Sequence, residues 1–142
     1  MSADETPPPI LLIRSEGTLG AQVELHLLAV DGSSRLIARR DELGPSEDLE
    51  TLVRVAAMAE TGFRDVVVDL EQVRWLNSTG LGWLVGLIRQ RKLHGDTVAL
   101  VGANERIAKL LQVTSLDIAL PTYASLAEAA RALRAEGTGN AG

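Results

Sequence analysis

The sequence predicts one α/β domain in which about four α-helices pack on a mixed β-sheet of four to six strands. The first observation behind this class is size, since 142 residues with 46% hydrophobic composition suffice for one domain with a substantial core. The second is the order of the segments along the chain, because strand-like and helix-like segments alternate after about residue 45. That alternation indicates parallel strands, and the preceding segments are typical of antiparallel strands.

The domain itself is expected to span residues 10–134. Residues 1–9 contain three prolines and two acidic residues, so we predict a disordered leader that carries no secretion signal. Residues 135–142 are mostly small and lack large apolar side chains, and we predict a flexible tail there.

The first part of the domain is predicted to be a small antiparallel meander. Residues 10–13 form an apolar run, and residues 23–27 alternate between apolar and polar side chains, as in a half-buried strand. A turn at Asp31-Gly32 then precedes a third apolar segment at residues 36–38.

Helices and buried strands follow in turn. A helix is predicted over residues 46–62, because apolar side chains recur on one face after Ser46, a residue suited to capping. The continuous β-branched run at residues 66–68 predicts a strand buried on both faces. The remaining predicted elements are a helix from the 75–80 loop to Gly95, a strand over 97–101, a short helix capped by Asn104, and a closing helix with Ser125 and Glu128 as a capping box.

Composition argues against several classes of function. The chain has no cysteine and only two histidines, which leaves little for metal, redox or acid–base chemistry, so we expect no metal and no cofactor. A net charge of −5, with two tryptophans, one tyrosine and one phenylalanine, argues against nucleic-acid binding. The uncharged stretch over residues 75–88 is too short and too polar to insert into a membrane.

The most informative segment surrounds Ser78. Asn77, Ser78 and Thr79 stand directly before a helix that has Gly80 and Gly82 in its first turn. Because free N–H groups at a helix start favour negative charge, a phosphate on Ser78 could be tolerated by this domain. The same phosphate, with about −1.5 to −2 charges, would repel an acidic or apolar partner surface. The segment therefore suits a switchable partner contact.

A purely structural interpretation stays open for the same residues. A serine at a helix start is often only a cap, and Gly82 with Gly86 could let the helix lie close to the sheet. Hydrolase chemistry has less support, because Leu76 stands where a nucleophile elbow requires glycine. No glycine pattern matches a dinucleotide or P-loop site.

The segment resembles the STAS family, named for sulfate transporters and anti-sigma factor antagonists. The family hallmark is a hydrophobic strand ending in Asp-Leu, a connector, and Asp-Ser-Ser/Thr-Gly-Leu-Gly at the start of an apolar helix. The matching stretches here are Val67-Val68-Asp69-Leu70 and Asn77-Ser78-Thr79-Gly80-Leu81-Gly82. The resemblance covers about residues 46–134 and implies a single STAS-like domain.

The resemblance implies a bacterial, cytoplasmic anti-sigma factor antagonist, also called an anti-anti-sigma factor, and not an enzyme. In that family the unphosphorylated domain binds an anti-sigma factor, often itself a serine/threonine kinase, and so regulates sigma-dependent transcription. Phosphorylation of the motif serine ends binding, and a PP2C-type phosphatase resets the switch. The matching acceptor is Ser78, with Thr79 as second choice.

The two tryptophans flank the motif. Trp83, in the predicted helix, is a candidate partner contact because aromatic anchors often dominate interfaces, although it could equally lie in the core. Trp75, in the connector, is open to the same two interpretations. The predicted partner-binding residues are Asn77, Ser78, Thr79, Gly80, Leu81, Gly82 and Trp83.

The sequence departs from the family pattern at two places. Asn77 stands where the family usually has aspartate, so a charge is missing beside the acceptor. This favours, as an alternative, a STAS subunit of a membrane lipid-transport complex that binds an ATPase and is never phosphorylated. A nucleotide-sensing STAS module is a third interpretation. The N-terminal meander is also longer than the two strands with which the family usually opens.

Overall fold

The computed structural model describes residues 9–19, 22–29, 31–40 and 63–139, which form an α/β structure around one mixed sheet. Its seven strands are β1 Ile10–Thr18, β2 Gln22–Leu28, β3 Ser34–Arg40, β4 Val66–Asp69, β5 Val73–Trp75, β6 Val98–Val101 and β7 Thr122–Tyr123. The helices of these residues are α1 Ser78–Leu93, α2 Glu105–Val113 and α3 Leu126–Gly139, with a 3-10 turn at Leu116–Ile118.

The sheet has the order β3-β2-β1-β4-β6-β7, and β5 pairs separately with β1. The β1–β2 and β2–β3 pairs are antiparallel, and β1–β4, β4–β6 and β6–β7 are parallel. This confirms the predicted mixed sheet with antiparallel strands first. The strand count exceeds the predicted four to six because β5 and β7 have three and two residues, too few to produce a recognisable periodicity.

The sheet is covered differently on its two faces. One face packs against α1 and α2 through Leu11, Ile13, Val66, Val68, Leu100, Leu84, Leu87, Ile107 and Leu111. The other packs against α3 through Ile10, Leu12, Val67, Ala99, Ala129, Ala130 and Leu133. All four residues of β4 and of β6 are buried, which confirms the two-sided burial that the run at 66–68 predicts.

The N-terminal starts of α2 and α3 are capped by the side chains that the sequence predicts. The Asn104 side-chain oxygen accepts a hydrogen bond from the Ile107 N–H at 2.9 Å. At the start of α3, Ser125 Oγ accepts from the Glu128 N–H at 3.1 Å, and the Glu128 carboxylate accepts from the Ala124 N–H at 3.2 Å. Both predicted caps are therefore confirmed.

The described helices number three, against about four in the prediction. The predicted helix over residues 46–62 lies outside the described residues, as does nearly all of the predicted leader. Helix α3 runs to Gly139, past residue 134; Ala135 and Glu136 favour this extension, whereas the glycines at 137 and 139 do not. The domain boundaries stay a prediction.

Gly102 holds the loop between β6 and α2 close to the loop after β4. Its φ is +72°, and a Cβ added there would overlap Glu71 Cγ and lie 3.2 Å from Glu71 Cα. Gly102→Ala should therefore lower the free energy of unfolding by about 1–2 kcal/mol, from left-handed strain together with this overlap. Urea unfolding measures the loss. Gly95 has a similar φ of +76°, but no described atom lies within 4 Å of a carbon added there, so Gly95→Ala should lose less unfolding free energy. An equal loss in the two variants would show that the overlap with Glu71 contributes nothing.

Candidate functional site

The candidate site lies where the chain leaves the sheet and enters α1. Strands β4 and β5 both run parallel to β1, and β5 pairs farther along β1 than β4 does. Two residues separate β5 from α1, and one of them, Leu76, is only 1% exposed and anchors the connector in the core. Ser78 is the first residue of α1, at the helix start where the sequence predicts it, and its side chain is exposed.

Asn77 is the N-cap of α1. Its side-chain oxygen accepts a hydrogen bond from the Gly80 N–H at 2.8 Å, and its carbonyl oxygen accepts from the Leu81 N–H at 2.9 Å. The interpretation of Ser78 as the cap is therefore wrong. Sequence alone does not separate these candidates, because asparagine, serine and threonine are all favoured caps.

The hydroxyl of Ser78 is left uncommitted by this arrangement. It makes no hydrogen bond to any other residue in the described part of the chain. Helix geometry also gives the N–H groups of Ser78 and Thr79 no acceptor within the helix. The first turn of α1 contains no acidic side chain, so the positive end of the helix dipole has no carboxylate beside it.

The predicted partner-binding residues differ in exposure. Asn77, Ser78, Thr79 and Gly82 are exposed, Leu81 and Trp83 are half-buried against the core, and Gly80 is buried. A Cβ on Gly80 would lie 3.4 Å from Leu19 Cβ, whereas one on Gly82 or Gly86 would have no described atom within 4 Å. Gly80 thus packs inside the domain. Gly82 and Gly86 do not bring α1 close to the described sheet, contrary to the packing interpretation.

Trp75 and Arg106 form a contact that sequence reasoning missed. Trp75 is 39% exposed, and the Arg106 guanidinium carbon lies 4.4 Å from the centroid of its ring. Asn104 ties the two segments together, since its side-chain N–H groups donate to the carbonyls of Val73 at 3.4 Å and Arg74 at 3.1 Å. Trp75 was the available signal, but nothing in the sequence places Arg106 beside it.

The aspartate of the Asp69-Leu70 pair braces the sheet edge. Arg14 Nε donates to Asp69 Oδ2 at 3.1 Å, and Asp69 Oδ1 accepts from the Glu71 N–H at 3.0 Å. Asp69 points to the α3 side, because it lies two residues after Val67 on the same strand. Its role is therefore to hold the turn that leads towards β5.

A charged cleft of about 540 Å³ opens on the same side of the sheet. Within it, Glu24 binds Arg39 at 2.8 Å and the buried His26 at 3.0 Å. The hydrogen bond with His26, followed by the one with Arg39, lowers the pKa of Glu24. The arginines of the cleft are thus already paired with carboxylates, which leaves no free cation there among the described residues to bind an anion.

The two histidines have local structural contacts. His26 lies between Glu24 and Ser34, and His94 caps the end of α1 with Nδ1 2.8 Å from the Gln90 carbonyl oxygen. No group of three or more metal-ligating side chains occurs within the described segments. None of the helices described has the length and apolar character needed to cross a membrane.

The fold and site define an α/β domain that presents an exposed serine at a helix start. A family model described as the STAS domain matches residues 20–129, which is most of the chain. The chain belongs to the STAS domain family.

Named relatives and solved structures carry related descriptions. The chain is 36% identical over 59 residues to proteins named anti-sigma-B factor antagonist from Staphylococcus aureus and Staphylococcus epidermidis. The match covers 42% of this chain and 55% of each relative, so the chain spans about half the length of the curated relatives it matches.

Two structures of one Thermotoga maritima protein are similar. The crystal structure, provisionally assigned as an anti-sigma factor antagonist, has a TM-score of 0.52 and 26% identity, covering 61% of this chain and 79% of that one. The solution structure has a TM-score of 0.57 and 18% identity, covering 94% of this chain and 93% of that one. At that identity the solution structure supports the fold alone.

Proposed function

We propose that this chain is an anti-sigma factor antagonist that binds an anti-sigma factor through the start of α1 and releases it when Ser78 is phosphorylated. The observation that carries the proposal is the division of roles at the helix start. Asn77 makes the cap, and Ser78 keeps an exposed, uncommitted hydroxyl. Family membership and the names of the relatives support the same function.

Asparagine in place of aspartate is compatible with this switch. A cap needs a side-chain oxygen, and Asn77 supplies one to the Gly80 N–H. Because the amide is neutral, it adds no repulsion to a phosphate on the neighbouring residue. The phosphorylated domain should therefore keep its fold, because the free N–H groups at the helix start can donate hydrogen bonds to the phosphate.

The same charge acts differently on a partner. The exposed residues Asn77, Ser78, Thr79 and Gly82 offer a surface with little side-chain bulk, which suits a close contact. A phosphate in that contact adds about −1.5 to −2 charges. Binding would then require this charge to be desolvated or placed against a partner surface that repels it, and the affinity should fall. The chain thus acts as the substrate of a kinase, which is the anti-sigma factor or a switch kinase, and a PP2C-type phosphatase completes a cytoplasmic cycle.

The experiment that tests this function has two stages. The full chain captures proteins from a lysate of its source cells, and mass spectrometry identifies those lost with Ser78→Glu but retained with Ser78→Ala. The purified partner, with its kinase and ATP, should then add one phosphate that maps to Ser78. An anti-sigma factor is the expected partner. A phosphate that persists in Ser78→Ala and disappears in Thr79→Ala would show that Ser78 is not the acceptor.

The capture also separates the alternatives. A membrane-transport ATPase bound equally by the parent and Ser78→Glu chains would favour the lipid-transport subunit. Calorimetric titration with GTP and ATP, if it showed saturable binding, would favour the nucleotide-sensing module.

Gly82 supplies a matched test of close approach. Gly82→Ala and Gly86→Ala should each stabilise α1 by about 0.5–1 kcal/mol, because glycine is costly inside a helix and neither added methyl meets a described atom. Only Gly82→Ala should weaken partner binding, by about tenfold, since it adds bulk one turn beyond Ser78 on the same face of the helix. Thermal unfolding and calorimetric titration measure the two effects. Equal partner affinity for both variants would contradict a contact at Gly82.

A further inference from the structure

Trp75 is an exposed aromatic residue three positions before Ser78. Its strand neighbour Val73 is buried, whereas the Trp75 side chain is 39% exposed although it could bury a large apolar area. Tryptophan and arginine are the residue types most enriched among those that dominate binding energy at interfaces. An exposed tryptophan three residues before the proposed acceptor is therefore a candidate partner contact.

Arg106 packs against the ring of this tryptophan. Its guanidinium lies over the ring at 4.4 Å, a distance at which the cation and the ring attract each other. Stacking occupies the flat face of a guanidinium and leaves the N–H groups at its edge available for bidentate hydrogen bonding to a carboxylate. No carboxylate in the described segments pairs with Arg106, nor with the exposed Arg74.

The pair is also fixed relative to Ser78. The hydrogen bonds from Asn104 to the carbonyls of Val73 and Arg74 hold the start of α2 against β5. The next residue, Leu76, is buried in the core, and Asn77 caps the start of α1 at Ser78. Ordering side chains costs free energy on binding, and a pair that is already ordered reduces this cost.

We propose that Trp75 and Arg106 form a second docking surface, continuous with the start of α1, for a protein patch that presents a carboxylate beside an apolar side chain. The carboxylate binds the free edge of Arg106, and the apolar side chain covers the Trp75 ring. Arg74 and Arg106, neither of which pairs with a carboxylate among the described residues, offer two exposed cations to an acidic side chain of the partner. This inference rests on the proposed function, because an acidic partner is also what phosphate on Ser78 would repel.

The test is a titration of the purified partner, found by the Ser78-dependent capture, against variants of the full chain. Trp75→Ala and Arg106→Gln should each weaken binding at least tenfold, and Arg106→Glu should weaken it further. Trp75→Phe, which keeps a ring for Arg106, should recover most of the affinity, and Arg106→Lys should recover only part, because lysine lacks the planar fork. Raising the salt concentration should lower the partner affinity of the parent chain more than that of Arg106→Gln.

Matched controls separate a contact from a general surface effect. Ile118 is 85% exposed and follows the opposite end of α2, and Arg131 is exposed on α3, across the sheet. Ile118→Ala and Arg131→Gln should bind within about twofold of the parent, since single surface substitutions away from the contact change little. Thermal unfolding shows which variants are folded, and Arg106→Glu, a surface change, keeps the test valid if Trp75→Ala unfolds.

Two negative results have different meanings. If Ser78→Glu abolishes binding but Trp75→Ala and Arg106→Glu bind like the parent, the second docking surface is wrong and the proposed function stands. If no partner binds in a Ser78-dependent way, both are wrong.

Discussion

Replacement of Ser78 by glutamate is expected to weaken partner binding at least tenfold, about 1.4 kcal/mol, without loss of the fold. The weakening is expected because a carboxylate at this exposed position would lie in the proposed partner contact. The fold persists because a negative charge in the first turn of a helix is stabilising by about 0.3–1 kcal/mol. Calorimetric titration and urea unfolding measure the two quantities.

The control for this substitution places the same charge elsewhere on α1. Gln90 is exposed near the far end of the helix, so Gln90→Glu adds an identical charge away from the proposed contact. It should leave partner affinity within about twofold of the parent. Ser78→Ala should also bind well. Equal weakening by Ser78→Glu and Gln90→Glu would mean that net charge, and not the position of Ser78, governs binding.

Arg91→Met should lower the free energy of unfolding by about 3 kcal/mol near neutral pH. Arg91 Nη1 lies 3.3 Å from Asp96 Oδ2, and each side chain is only 9% exposed. The guanidinium also lies 5.7 Å from the Phe63 ring centroid. Methionine fills similar space but leaves the buried Asp96 carboxylate without this cation, which explains the size of the loss.

The pH dependence of that loss has a definite sign. Burial raises the pKa of Asp96 above its ordinary value, and Arg91 opposes this shift, so removing Arg91 should raise the pKa further. A carboxyl with a raised folded-state pKa gives most stability below the unfolded pKa, about 3.9, and loses it as pH rises through the folded value. Urea unfolding should therefore show a smaller deficit at about pH 5 than at about pH 7.

A second substitution checks the cause. Asp96→Asn in the Arg91→Met background removes the buried charge, so it should recover part of the lost stability and flatten the pH dependence. A deficit that is equal at both pH values and unchanged in the double variant would show that lost packing around Arg91, and not the stranded carboxylate, is responsible.

Much of the fold follows from local patterns in the sequence. The continuous apolar run of β4 predicts a strand buried on both faces, because such strands have no solvent side. Asn104 and the Ser125–Glu128 pair mark helix starts because their side chains hydrogen-bond backbone N–H groups within one turn. Strands β5 and β7 are missed because pairing with β1 and β6, and not local pattern, makes them strands.

The candidate site is predictable in position but less so in detail. A hydroxyl-bearing motif after a buried strand places Ser78 at a helix start, where the structure has it. The sequence does not show that Gly80 packs on Leu19 while Gly82 faces outward, since this depends on a distant segment. The contact of Arg106 with Trp75 is likewise a product of tertiary structure.

The central claim is that phosphate on Ser78 controls partner binding. The most direct measurement is the affinity of one purified partner for the same chain before phosphorylation, after complete phosphorylation at Ser78, and after phosphatase treatment. We expect at least a tenfold loss of affinity on phosphorylation and full recovery on dephosphorylation. A phosphorylated chain that binds as tightly as the unmodified chain would contradict it.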